Sequence, residues 1–223
     1  MQKLTVKHAV ESAGRVSAGN SKMPGSTYAI SATTCKVGGK LVNVKGSVCN
    51  RCYALKLEKL RPSVNQGWMG NYLKATSLIA KSPDQWVKAC VFQIERIRMK
   101  TSVPFHRWFD SGDLQSVDML AAIVSVAKAT PEVKHWLPTR EAKIVKDYLA
   151  KYPDGFPDNL VVRVSSTMVN DKPVSGYANT STVHSKEGQP VGHVCPAPEQ
   201  GGNCQDCRAC WSRLVPNVSY KLH

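Results

Sequence analysis

Three short apolar runs alternate with two stretches of helical periodicity in the middle of the chain. The runs cover residues 105–109, 133–137 and 160–164, and polar residues follow each of them. Apolar residues at helical spacing fill both intervals, and Ser116 is placed to cap the first of these helices. The runs recur every 27 to 28 residues. A strand–helix–strand–helix–strand order of this kind predicts a parallel sheet with right-handed crossovers.

The same pattern predicts further elements ahead of this unit. Residues 27–31 are a predicted first strand, and residues 65–80 and 82–99 are predicted helices. About four parallel strands are too few for a closed eight-stranded barrel. The predicted fold class is therefore α/β, with a partial, open (β/α) barrel-like parallel sheet resembling part of a TIM barrel.

We expect a single domain over residues 1–223, with irregular cysteine-bearing segments at the N- and C-terminal sides of the sheet. Residues 24–54 form the first cysteine segment and residues 65–166 the α/β core. Residues 167–223 form a loop and the C-terminal cysteine segment. Within it, residues 171–194 are polar and rich in Gly, Ser and Thr, which predicts one long loop.

Composition adds an unusual charge and an unusual cysteine count. The 30 Lys and Arg residues exceed the 16 Asp and Glu residues, and a net charge of +14 favours polyanions such as nucleic acid as partners. No apolar run reaches the ~18–20 residues of a membrane span, and the first residues lack the apolar core of a signal peptide. We therefore expect a cytoplasmic protein with no membrane association. In a reducing compartment, metal or cluster binding explains eight cysteines better than a disulfide framework does.

Seven of the eight cysteines fall into two groups. The first cysteine group is Cys35, Cys49 and Cys52, and the second cysteine group is Cys195, Cys204, Cys207 and Cys210. The eighth, Cys90, lies on the apolar stripe of the predicted helix 82–99. Free cysteine packs as a small hydrophobic residue, so we expect Cys90 in the core.

The spacing within the second cysteine group is typical of iron–sulfur proteins. Cys204, Cys207 and Cys210 form a C-x2-C-x2-C run, which is the local pattern of [4Fe–4S] ligation in bacterial ferredoxins. Cys195 is the nearest candidate for a fourth ligand. Zinc is the alternative metal, although tetrahedral zinc sites usually combine two separated Cys-x2-Cys elements.

The first cysteine group has three thiols and no obvious fourth ligand. Three thiolates on a [4Fe–4S] cluster leave one iron open to a substrate or cofactor, as open positions do at catalytic metal sites. The alternative is a structural site that the trio shares with Cys195 or a histidine. One or two clusters are compatible with the spacing, because the sequence leaves open how the seven thiols divide.

The histidines divide into two sets. His184, His193 and His223 lie in segments predicted to be irregular and are candidates for a missing ligand. His106 and His135 occupy matching positions on adjacent predicted strands, which favours burial over metal binding.

Polar side chains follow the predicted strands at the edge where parallel strands end. Ser111 and Asp113 follow the second strand, Arg140 follows the third, and Ser165 and Ser166 follow the fourth. Binding sites of parallel α/β sheets collect at this edge. The sequence therefore predicts a pocket there, beside the first cysteine group. No turn carries a dinucleotide-binding or P-loop signature.

Three sequence blocks resemble a family of uncharacterised phage proteins, the gene product 88 family. They are residues 50–54, with Cys52 followed by Tyr and Ala, residues 107–114, and residues 207–211. The resemblance extends over most of residues 24–223 and implies a phage origin. It carries no established activity with it.

A more distant resemblance is to the radical S-adenosylmethionine (SAM) superfamily, in which three cysteines after the first strand hold a [4Fe–4S] cluster. It implies that the cluster cleaves SAM to methionine and a 5′-deoxyadenosyl radical. By analogy with a polar motif of that superfamily, Ser111 and Asp113 would bind the SAM amino group. Arg140 would hold a carboxylate, and Ser165 or Ser166 the ribose. The second cysteine group resembles the auxiliary clusters of some members.

Two other functions use the same residues. A non-enzymatic iron–sulfur carrier, redox or electron-transfer protein acting on a host protein needs the cysteines without a SAM pocket. A zinc-stapled nucleic-acid-binding protein would use the net charge, with both cysteine groups structural. The enzyme hypothesis instead requires a small-molecule substrate, whose identity the sequence leaves open together with the oligomeric state.

Overall fold

The computed structural model describes residues 4–222 and contains an α/β fold. The helices are α1 (Val6–Ala13), α2 (Lys36–Leu41), α3 (Tyr53–Leu60), α4 (Pro62–Lys81), α5 (Pro83–Thr101), α6 (Val117–Ala129) and α7 (Ala142–Lys151). The strands are β1 (Ser26–Tyr28), β2 (Phe105–Trp108), β3 (Lys134–Thr139), β4 (Leu160–Val169), β5 (Thr180–His184), β6 (His193–Val194) and β7 (Asn217–Lys221).

All seven strands form one parallel sheet in the order β1-β2-β3-β4-β5-β7-β6. Strands β1 and β6 lie at opposite edges, so the sheet is open. The predicted open parallel α/β architecture is confirmed. The sheet contains three more strands than the four or so that the hydrophobic pattern predicted, and all three lie on the C-terminal side of β4.

Helices α1 and α4 to α7 cover one face of the sheet and enclose the main hydrophobic core. Trp108, Leu137 and Val162 project from β2, β3 and β4 into this core, where they join Trp86 and Leu120 of the helices. Alternate residues of a strand face opposite sides of the sheet, so their neighbours face away from the helices. Cys90 is fully buried in the same core, as its position on an apolar stripe predicted.

His106 and His135 are neighbours in the register of β2 and β3, and both are fully buried. His106 Nδ1 lies 2.8 Å from the Ser26 hydroxyl, and His135 Nε2 lies 2.8 Å from the Thr130 hydroxyl. Burial lowers the pKa of His135 to about 3 and holds the pKa of His106 well below its usual value. Both rings are therefore neutral parts of the core.

Two predictions on the C-terminal side of the sheet are wrong. Strand β4 continues to Val169 instead of ending before Ser165, because residues 46–48 of the first cysteine segment pair with its second half. The predicted loop 171–194 contains strand β5 and the short strand β6. The hydroxyl and amide side chains of β5 and β7 bond to each other, as between Thr180 and Asn217, so these polar strands are buried.

The C-terminal cysteine segment covers the face of the sheet opposite the helices. Trp211 packs against Trp136 of β3 at a ring distance of 5.2 Å, and its Nε1 donates to the His106 carbonyl at 3.0 Å. Farther along, the Cys204 amide donates to the Lys22 carbonyl at 2.7 Å, ahead of β1. The segment thus extends from the β6 edge of the sheet back to its β1 edge. None of the helices within residues 4–222 is long and apolar enough to cross a membrane.

Candidate metal centres

The first cysteine group gathers where β1 ends. Cys35 precedes helix α2, Cys52 precedes helix α3, and Cys49 lies in the turn between these helices. Gly38 of α2 makes room for two of the thiols, since a Cβ atom there would lie 3.4 Å from Cys49 Sγ and 3.8 Å from Cys35 Sγ. All three cysteines are half-buried and free.

Two buried carboxylates hold the chain around Cys35. Glu58 of α3 accepts from the Ser31 hydroxyl at 2.6 Å and from the Ala32 amide at 2.7 Å, which fixes the turn just before Cys35. Glu141, which follows β3, accepts from the Val37 amide at 2.8 Å, just after Cys35. The thiol therefore has a defined position relative to the ends of β1 and β3.

The polar residues predicted to follow β2 and β3 meet beside this group. The Asp113 carboxylate accepts from the Thr139 hydroxyl at 2.6 Å, the Leu114 amide at 2.8 Å and the Arg140 amide at 2.9 Å. Ser111 Oγ and Arg140 Nε are buried and have no partner among the described residues. Asp113 thus ties the two strand ends together, whereas Ser111 and Arg140 retain groups that can meet a ligand.

Burial raises the pKa of Asp113 to about 6 from 3.8, although three hydrogen bonds oppose the rise. Folded protein then binds more protons than unfolded protein between these values, so the free energy of unfolding falls as pH rises from 4 to 6. The contribution of Asp113 is at most about 3 kcal/mol. In Asp113→Asn this part of the slope disappears, and urea unfolding at pH 4, 5, 6 and 7 measures it. If the free energy of unfolding of Asp113→Asn depends on pH as in the wild type, the raised pKa of Asp113 is not the cause of this dependence.

Ser165 and Ser166 do not lie at the strand ends. They occupy the middle of β4, where the Ser165 hydroxyl pairs with the Ser181 hydroxyl at 2.8 Å and the Ser166 hydroxyl donates to the Lys172 carbonyl at 2.8 Å. The interpretation of this pair as strand-end residues is wrong because β4 is twice the predicted length. Both hydroxyls contribute to the packing of β4 on its neighbours.

The second cysteine group lines one small pocket on the opposite face of the sheet from the helices. Its lining includes all four cysteines of the group together with His193, Pro196, Ala197, Ala209, Trp211 and Val218. His193 Nε2 lies 3.5 Å from Cys207 Sγ, and the Tyr220 hydroxyl lies 3.2 Å from Cys210 Sγ. Five side chains of types that can ligate a metal therefore line one pocket. Of the other candidate histidines, His184 bonds to Ser219, and His223 lies outside the described residues.

Arg163 of β4 anchors the chain that carries the second group. Its side chain is fully buried and donates to the carbonyls of Ala209 at 2.9 Å, Cys210 at 3.1 Å, Ser212 at 2.8 Å and Thr180 at 3.1 Å. No carboxylate within residues 4–222 lies within 4.0 Å of it. The sequence pattern predicts only that Arg163 is part of a strand, because the backbone carbonyls that it binds leave no signal in the sequence.

Burial raises the pKa values of Cys35 and Cys49 in the first group and of Cys195, Cys204 and Cys210 in the second. It is the main cause for Cys35, where Asp113 and the neighbouring thiols add to it. For Cys210 it raises the pKa to about 12, while Tyr220 and Arg163 act in the opposite direction. Within residues 4–222, no three His, Cys, Asp or Glu side chains are arranged to hold a single metal ion.

These features define the protein as an open, all-parallel α/β protein with a cysteine group at the carboxyl edge of the sheet and another on the face opposite the helices. The chain belongs to the Gene product 88 family, whose model matches residues 2–213. This confirms the family expected from the sequence blocks. The chain is also similar to the Gene 88 protein of Mycobacterium phage L5, with 27% identity over 183 residues that cover 71% of this chain and 72% of the relative. No solved structure matches it.

Proposed function

We propose that the protein binds iron–sulfur clusters at its two cysteine groups and that the first cluster serves a reaction like that of radical SAM enzymes. The observation that carries the proposal is the placement of three thiols at the carboxyl edge of a parallel sheet, beside buried polar atoms that have no partner among residues 4–222. Sites of parallel α/β enzymes occur at this edge. Elsewhere, four further thiols face one pocket.

At the first centre, Cys35, Cys49 and Cys52 would hold a [4Fe–4S] cluster. Such a cluster, when bound, supplies the electron that cleaves the SAM sulfonium. Ser111 Oγ can accept a hydrogen bond from a ligand amino group, and Arg140 can bind a carboxylate, because Ser111 Oγ and Arg140 Nε are buried and otherwise unbonded among the described residues. Asp113 holds the Arg140 backbone in place, and both of its carboxylate oxygens already accept hydrogen bonds from the protein.

At the second centre, charge favours a metal–thiolate group. A fully buried guanidinium such as that of Arg163 is costly unless a negative charge lies near it. The Cys210 thiol, which follows the Ala209 carbonyl held by Arg163, supplies such a charge once a metal deprotonates it. A second cluster at this centre would pass electrons or bind substrate. The radical SAM-like reaction also requires a small-molecule substrate, which would be present in the cytoplasm of an infected host cell.

Anoxically purified protein is expected to be brown, with absorbance near ~400 nm and about eight iron and eight sulfide per chain for two clusters. Cys35→Ala and Cys207→Ala should each remove about half of the iron, because each variant loses one thiolate ligand of one of the two clusters. Cys90→Ala is the matched control and should keep all of it, since Cys90 is packed in the core. Colourless protein with stoichiometric zinc would reject the iron–sulfur proposal and favour the zinc-stapled nucleic-acid-binding alternative.

Adding SAM to the reduced protein separates the enzyme from the electron-transfer alternative. If SAM binds at the first centre, the electron paramagnetic resonance signal of the reduced cluster should change, and Ser111→Ala should weaken the response. An unchanged signal from iron-loaded protein would reject the radical SAM reaction and favour a non-enzymatic redox protein.

A further inference from the structure

Arg107 of β2 presents a guanidinium with few acceptors on the face of the sheet opposite the helices. Its register partners are Thr27 and Trp136, and its guanidinium lies 4.6 Å from the Trp136 ring centre. One of its nitrogens lies 3.6 Å from the Met23 sulfur, a weak acceptor. Its Nε is buried without a partner, and no carboxylate within the described 4–222 range lies within 4.0 Å. Most of its five donors remain available.

The turn that follows β2 adds two more polar atoms of this kind. Asp110 Oδ1 and Ser111 Oγ are buried, and neither has a hydrogen-bond partner in the part of the chain that the structure describes. Phe109, which opens the turn, has a φ of +53°, a conformation that bulky residues rarely adopt. Its amide donates to the Tyr28 carbonyl at 2.7 Å, which holds the strained turn against β1. A donor side chain, an acceptor and a hydroxyl therefore lie within five residues of one another.

Arg107 also lies between the two cysteine groups. On one side it contacts Met23. The carbonyl of the preceding residue, Lys22, accepts a hydrogen bond from the Cys204 amide. Three residues farther along, the Asp110 carbonyl accepts from the hydroxyl of Tyr53, which adjoins Cys52. Within the described residues no hydrogen bond joins Arg107 to a cysteine sulfur, although its positive charge opposes the rise in the pKa of Cys204 and Cys210.

We propose that Arg107, Asp110 and Ser111 bind a small carboxylate or phosphate that carries a hydroxyl or ammonium group next to its negative charge. The planar guanidinium can bind such an anion through two parallel hydrogen bonds. The adjacent hydroxyl or ammonium would donate to Asp110 Oδ1, and Ser111 Oγ would donate to the anion. This site gives the proposed enzyme a substrate class and depends on the proposed function for its catalytic meaning, but binding itself requires no cluster.

Calorimetric titration with glycolate, acetate and inorganic phosphate tests the site on the full-length protein. Glycolate should bind more tightly than acetate, since only glycolate has a hydroxyl beside its carboxylate. Phosphate distinguishes a phosphate site from a carboxylate site. Arg107→Gln should weaken binding of the preferred anion by about tenfold or more, because charge-assisted hydrogen bonds are lost. Asp110→Ala should remove the preference for glycolate over acetate.

Arg213→Gln is the control, because Arg213 is surface-exposed and paired with Asp158 at 2.5 Å, so binding should not change. Circular dichroism shows whether each variant is folded. Arg107→Lys keeps the positive charge without the guanidinium, so weaker anion binding by a folded Arg107→Lys protein is due to the lost guanidinium. If the wild type binds none of the anions, or if Arg107→Gln binds them equally well, the proposed anion site is wrong. Iron is measured in the same samples. Anion binding by protein that contains no iron would support the anion site and reject the iron–sulfur function. Iron-loaded protein that binds no anion would support the iron–sulfur function and reject the anion site.

Discussion

Replacing Arg163 with methionine is expected to lower the free energy of unfolding by about 3 kcal/mol or more and to remove the second metal centre. Methionine keeps much of the side-chain volume but leaves the carbonyls of Ala209, Cys210, Ser212 and Thr180 without their donor. A buried acceptor without a partner costs about 1–3 kcal/mol, and losses of this kind are among the largest that single substitutions cause. Urea unfolding measures the change in stability.

The metal content of the same variant shows whether Arg163 positions the second cysteine group. Iron should fall by about four atoms per chain, the content of one [4Fe–4S] cluster, while the first centre is kept. Arg163→Lys should recover part of the stability, since an ammonium reaches some of the carbonyls. Arg213→Met is the control, because its exposed pair with Asp158 contributes little. An Arg163→Met protein with normal iron content would show that the anchor is not needed for the centre.

Gly38→Ala is expected to empty the first centre without unfolding the protein. A Cβ atom at this position would lie 3.2 Å from Cys35 Cβ and 3.4 Å from Cys49 Sγ, so Cys35 must shift by a few tenths of an ångström. A shift of a few tenths of an ångström disturbs a ligand set that must match a cluster. Iron per chain, determined together with acid-labile sulfide, should fall by about half.

Gly39→Ala provides the matched control on the same helix, because a Cβ atom there meets nothing within 4 Å. Both substitutions replace a helical glycine with alanine, which by itself favours the helix by about 1 kcal/mol. Stability should therefore change little or rise in both variants, whereas iron should fall only in Gly38→Ala. Equal iron in the two variants would show that the thiols facing Gly38 do not form a metal site.

The elements that were predicted well are those in which local pattern and tertiary packing agree. Helix α6 begins after Ser116, whose hydroxyl accepts from the Met119 amide, and its apolar face is buried as its spacing indicated. Strands β2 and β3 were predicted because they carry large apolar residues into the core. Strands β5 and β7 were missed because residues such as Thr182 and Ser219 are polar, and they are buried only because their side chains bond to each other across the sheet.

For the candidate site, the sequence identified the cysteines and the residues that follow β2 and β3, because thiol spacing and strand ends are local features. It did not reveal the contacts of Arg107 and Arg163. Both are arginines within predicted strands, where a charged side chain is ordinarily assigned to solvent. Their partners lie far away along the chain, as with Arg163 and the carbonyls near Cys210.

By itself the sequence determined the family, the parallel α/β core, the burial of Cys90 and the division of seven cysteines into two groups, because each of these follows from residue types at short, regular spacing. Only the tertiary structure decided that the C-terminal segment crosses the sheet from β6 to β1, and that Arg107 stands between the two groups. These features depend on contacts between residues that lie far apart along the chain, with separations of 57 positions for Tyr53 and Asp110 and 105 for His106 and Trp211. Backbone carbonyls supply many of those contacts, and every residue type carries a carbonyl, so the sequence pattern contains no sign of them.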